Sequence, residues 1–104
     1  MATIEARIRY LTTEEGGRRG PVGDGYRGQF HYENDMDAND GFQCFPDLRP
    51  GEFVPLGCTV RAWVLFPDDR WREYHSKKVS VGMRFDIREG SKLVGQGVVT
   101  RIDV

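Results

Sequence analysis

The 104-residue sequence predicts an all-β domain, either a barrel or a sandwich. Three observations predict it. Apolar residues recur at every second position in short windows, the period of a half-buried strand. No window sustains a helical period over about twelve residues. Gly- and Pro-rich punctuation separates about six such windows, as in antiparallel all-β folds. A closed barrel has the advantage that it leaves no unpaired edge.

The elements follow in order. In residues 3–11, Ile4, Ala6, Ile8 and Tyr10 share one face, and Glu5, Arg7 and Arg9 the other. Residues 14–30 then hold six glycines and three arginines and read as a long surface loop, its glycines serving tight turns of positive φ. "QFHYE" is a short strand with Phe30 and Tyr32 on one face. "ENDMDANDG" is a turn rich in Asn, Asp and Gly, and "GFQCF" a third strand closed by Pro46. Residues 47–57 carry two prolines and two glycines and are loop or edge. "CTVRAWVLF" is the strongest strand: Val60, Ala62, Val64 and Phe66 face one way, Thr59, Arg61, Trp63 and Leu65 the other. "PDDRWREYHSKK" breaks the pattern as a polar, aromatic loop. "RFDIRE", with Phe85 and Ile87 inward, turns at Gly90-Ser91 into the final strand, "KLVGQGVVTRIDV".

The length is that of one domain, residues 1–104. Hydrophobic residues make up 38% and charged residues 30%, a balance that suits a water-soluble fold. No apolar run is long enough to span a bilayer, and the N-terminus has no apolar signal core, so a cytoplasmic location without a leader is expected. Cys44 and Cys58 form no C-x-x-C pair and are expected to be buried or half-buried thiols. With His31 and His75 they match no zinc spacing.

Charge is uneven. Residues 31–58 carry one basic and six acidic side chains, whereas residues 59–104 carry nine basic and six acidic. A nucleic-acid contact would therefore need a local patch.

Chemical motifs are thin. "GDGYRG" (Gly23–Gly28) satisfies G-x-G-x-x-G, but a strand follows it where a pyrophosphate site requires a helix, so no nucleotide is expected. "DMDANDG" lacks the glycine and glutamate of a calcium loop. There is no G-x-S-x-G elbow, and His75 has no partner visible in the sequence. No enzyme, metal or cofactor is expected. Arg70, Trp71, Arg72, Tyr74, Lys77 and Lys78 interleave cations with aromatics, a pattern that can stack bases and neutralise phosphates, or pack on the domain while the charges stay wet.

Two runs carry a resemblance. Gly16-Gly17-Arg18 with Gly25-Tyr26-Arg27-Gly28-Gln29-Phe30, and Gly82–Val99 ("GMRFDIREGSKLVGQGVV"), resemble the third, C-terminal domain of translation elongation factor Tu. That family shows Gly-Gly-Arg, Gly-Tyr-Arg-Pro-Gln-Phe and a Gly-x-Arg-Phe-x-Ile-Arg-Glu-Gly run in the same order. The resemblance covers roughly Ile4 to Ile102, with a divergent middle, and implies a six-stranded antiparallel closed β-barrel. The family's third domain binds the T-stem of aminoacyl-tRNA and meets the GTPase domain and the exchange factor. Carried over, the tRNA-facing positions are Gly17, Arg18, Glu89 and Gly90, with Arg19 where histidine is usual. Arg27 and Gln29 belong to the same run.

There are departures. Glu33-Asn34-Asp35 stands where the family has Arg-Thr-Thr-Asp, replacing a cation near phosphate by an anion. Gly28 replaces proline, and residues 69–78 form a longer polar insertion. These residues contain no GTPase domain and no P-loop.

Two functions follow as expectations. One is a stand-alone, non-catalytic module that binds a protein of the translation apparatus or a ligand of elongation factor Tu. The other is a tRNA- or RNA-binding module acting through Arg18, Arg19, Arg27 and the segment with Arg70, Trp71 and Arg72.

Overall fold

Alternation in residues 2–10 builds β1 (Ala2–Tyr10), whose inward side chains Ala2, Ile4, Ala6, Ile8 and Tyr10 are all buried. The computed structural model of the chain describes residues 1–23, 25–37 and 40–103. It contains β2 (Val22–Gly23), β3 (Gln29–Tyr32), β4 (Phe42–Cys44), β5 (Phe53–Val54), β6 (Thr59–Phe66), β7 (Arg84–Glu89) and β8 (Lys92–Asp103). A short helix, α1 (Asp68–Glu73), and a 3-10 turn at His75–Lys77 lie between β6 and β7.

Six strands form one antiparallel sheet in the order β3-β7-β8-β1-β6-β4. The register runs Ile4↔Val64 and Ile8↔Val60 between β1 and β6, and Ile8↔Gly97 between β1 and β8. Register shifts at Glu5/Ala6 and Ile87/Arg88 mark bulges, which bend strands and curl a sheet. The result is a half-barrel. Phe30, Phe66 and Phe85 meet inside it, with Phe30 centroids 5.3 Å from Phe66 and 4.9 Å from Phe85.

The expected closure is corrected. Among the described residues the rims β3 and β4 are not hydrogen-bonded to each other, although they come close: a Cβ on Gly41 would lie 3.0 Å from the Cβ of Phe30. The physical reason is length. β3 has 4 residues and β4 only 3, and Pro46 cannot prolong the ladder. The separate two-stranded ribbon of β2 and β5 sends Val22 and Val54 into the core.

Three further expectations change. Residues 14–30 are not loop throughout, because Val22–Gly23 pair with Phe53–Val54. In this stretch Gly16 and Gly25 take positive φ, but Gly17 does not; a Cβ there would run into the Leu11 carbonyl. Residues 68–73 are helical rather than loop. Cys44 and Cys58 are free and exposed, one on the outer face of β4 and one in the turn before β6. Of the motifs, "GDGYRG" runs into β3, with Asp24 outside the described residues. Ala38 and Asn39 of "DMDANDG", and Val104 at the end of the last strand, also lie outside them. No helix among the described residues is long and apolar enough to cross a membrane.

Gly97 tests the packing. A Cβ there would enter the Phe85 ring, which covers β8 on the inner face. Gly97→Val is expected to cost about 1–3 kcal/mol by overpacking. A urea midpoint equal to that of the wild type would mean that Phe85 moves aside freely.

Candidate functional site

The residues expected to bind RNA or a partner fall into two groups, one at each end of β1, except Arg27, which lies beside Phe42 on β4. At the Tyr10 end, the Thr12–Gly17 turn sets Arg18. Gly17 N–H donates to the Thr12 carbonyl at 2.9 Å, and Thr13 Oγ1 donates to the Arg18 carbonyl at 2.7 Å. Glu15 holds this turn: its carboxylate accepts from the Thr12 backbone N–H and from Arg9, which lowers its pKa to about 2. Arg18 then ion-pairs with Glu89, although 71 residues separate them. Tyr26 Oη donates to the same carboxylate at 2.7 Å, and the Arg18 guanidinium lies 4.6 Å from the Tyr26 ring centre. Partial burial pushes Glu89 up, but the Tyr26 hydroxyl and Arg18 outweigh it and hold the carboxyl below its usual range. Gly90 makes the adjoining turn at φ 63°. Arg19 and Gln29 are exposed.

At the Ala2 end, helix α1 follows β6. Asp68 and Asp69 occupy its first turn and Arg70 and Arg72 its last, which suits the helix dipole. Trp71 packs on Phe66 at 5.6 Å and is 8% exposed, out of reach of a stacking base. Arg70 Nε donates to Asp40 at 2.6 Å. Arg72 is exposed. His75, far from lying in a polar loop without a partner, is fully buried against Phe66 and Tyr32. The Tyr32 hydroxyl and His75 Nδ1 share a hydrogen bond of 2.6 Å, and Nε2 faces Asp40 at 3.8 Å. Burial, and then Arg70, lower the pKa of His75, so the imidazole is neutral. Eight residue steps of β1 separate the two ends, roughly 26 Å at about 3.3 Å per residue. The Arg18 and Arg70 groups therefore present two separate surfaces, and in each the leading arginine is already neutralised by a carboxylate.

The outer face of β4 and β6 is different. Here Phe42 sits opposite Leu65 and Cys44 opposite Trp63. These side chains point away from the core, with Phe42 43% and Trp63 38% exposed. Met1, 61% exposed, extends the strip beyond Phe42, and Phe45 and Pro46 extend it past Cys44. Arg27 reaches over from the other side, with its guanidinium 5.8 Å from the Phe42 ring. β4 is also a rim of the sheet, so among the described residues one side of its backbone has no ladder partner.

The alternation of residues 59–66 placed Trp63 and Leu65 on one face of β6, opposite Val64 and Phe66. It did not place β4 beside them, because strand pairing across some twenty residues leaves no local signature. No family model matches the chain.

Proposed function

We propose that this chain is a non-catalytic protein-binding module, related to the third domain of elongation factor Tu, that docks a partner on the outer face of β4 and β6. One observation carries the reading: Met1, Phe42, Cys44, Trp63 and Leu65 form a continuous apolar strip in water, bordered by a sheet rim. Contiguous exposed apolar area of this kind marks interaction sites, and exposed aromatics are the residues that dominate binding energy. The proposed partner is a component of the translation apparatus or a protein that binds elongation factor Tu, as the two glycine-arginine runs suggest. T-stem-type tRNA binding is the alternative. The separation of the two cationic groups and the burial of Trp71 take support from it, because one RNA face would have to reach both.

The test joins two measurements. Wild-type protein and a Phe42→Asp/Trp63→Arg variant are compared as baits for translation factors, with unfolding curves confirming that both fold. The wild type is expected to retain a defined partner that the variant loses by at least tenfold. A tRNA gel shift over a salt series is expected to show no complex. Equal retention by both baits, or a tRNA complex that weakens steeply with salt as counterion release requires, would overturn the proposal.

A further inference from the structure

Beyond the apolar strip, β4 stops at Cys44, opposite Trp63. The segment that follows arches away from β6 and returns as β5, leaving a cleft of about 300 Å³ over Thr59–Arg61. Its walls are apolar: Phe45, Leu48, Val54 and Pro55, with the 59%-exposed ring of Phe53 at the mouth. Arg7 of β1 enters from the sheet side.

Arg7 is in an unusual position. In the β1–β6 register it stands directly opposite Arg61, and like charges facing across strands are unfavourable. The chain neutralises one of the two. Asp47 grips Arg61 with a two-pronged hydrogen bond, 3.1 Å to Nε and 2.8 Å to Nη2, and Glu5 stands 3.8 Å from it. Glu5 is shared with Arg101 at 3.4 Å. Among the described residues no carboxylate lies within ion-pair distance of Arg7. The exposed Arg7 guanidinium thus sits at the lip of the cleft without a direct carboxylate partner among the described residues; Asp47, hydrogen-bonded to Arg61, feels its charge only from farther off.

We infer that this cleft is the anchor pocket of the docking face and that it takes an extended peptide segment in which an aromatic side chain neighbours an aspartate or glutamate. The aromatic ring fills the space between Phe45, Leu48 and Phe53. The carboxylate accepts from the Arg7 guanidinium, relieving the Arg7–Arg61 repulsion. A charge-assisted pair of this kind adds direction and affinity that an apolar cleft alone lacks. The inference rests on the protein-binding reading for the source of its ligand, and it extends the strip by continuity through Phe45, which lines both surfaces.

The experiment is a backbone-amide NMR titration of the intact chain with three terminally blocked hexapeptides, Gly-Ser-Asp-Phe-Ser-Gly, its Asn-Phe analogue and its Asp-Gly analogue. The Asp-Phe peptide is expected to shift the amides of Phe53 and Thr59–Arg61, and the Asn-Phe peptide to bind about tenfold more weakly. The Asp-Gly peptide is expected to give no cleft shifts. Arg7→Gln, at an exposed position, is expected to bring Asp-Phe binding down to the Asn-Phe level and leave Asn-Phe binding unchanged. Equal binding of the Asp-Phe and Asn-Phe peptides to wild type, or shifts that map away from the cleft, would overturn the inference. The two proposals fail separately. Cleft titration with partner retention undiminished in the Phe42→Asp/Trp63→Arg variant removes the strip reading alone. Partner loss in that variant without any cleft titration removes the cleft alone.

Discussion

Alanine at Phe30 is expected to lower the unfolding free energy by about 3–5 kcal/mol, the largest effect of any single truncation in this chain. The ring is fully buried on β3, with the ring centres of Phe85, Tyr32 and Phe66 all within 5.3 Å. Its loss would leave a cavity where the two rims of the half-barrel approach, and among the described residues no ladder there holds them together. The remaining side chains can close that space only by moving whole strands, so the cavity persists and the cost sits at the high end. Denaturant unfolding of Phe30→Ala beside Phe30→Leu checks this. A loss below about 1 kcal/mol in the alanine variant would mean that the seam collapses without strain.

Acid is expected to loosen the same part of the core, where His75 packs against Tyr32, Phe30 and Phe66. His75 is buried and neutral, its proton affinity lowered by desolvation, with Arg70 and Lys78 adding to the effect and Asp40 opposing it. Around it also stand Tyr32, kept protonated by its own burial, and Tyr74. In the unfolded chain the imidazole takes its proton near 6.5. The unfolded state therefore binds more protons below that pH, and stability falls as pH descends from about 6.5 to the lower folded value. The slope is at most about 1.4 kcal/mol per pH unit. His75→Gln keeps a side chain that can hydrogen-bond the Tyr32 hydroxyl but cannot titrate, so its stability is expected to stay flat between pH 7 and 5. Parallel acid slopes in the two proteins would assign the loss to other groups.

Strand positions were legible because period-two patterning is local. Ile4, Ala6, Ile8 and Tyr10 face the core as the alternation requires, and Arg61, Trp63 and Leu65 face away from it. Helix α1 carried its own signal in Pro67-Asp68-Asp69, a proline and two acids opening a turn; six residues were too few to show a periodicity. The burial of His31 beside Phe30 and Tyr32 defeats alternation, because β3 is covered on both faces there. The cleft was illegible for another reason. Asp47 choosing Arg61 over Arg7 is a contact fixed by where β4 ends, and nothing in the spacing of those residues announces it. Arg18 and Glu89 were brought to one site only by the resemblance; no pattern within the chain links positions so far apart.

The placement of β8 has a consequence for how the chain is made. The last strand in sequence order lies in the middle of the sheet, between β7 and β1, with Thr3 paired to Asp103. A nascent chain that has not yet reached Lys92 leaves one side of β1 and one side of β7 without neighbours. Ribosomal synthesis thus delivers every other strand before the one that joins the two halves. The native sheet assembles after translation of this segment rather than alongside it, and contacts between the two ends of the chain are the slow kind to form.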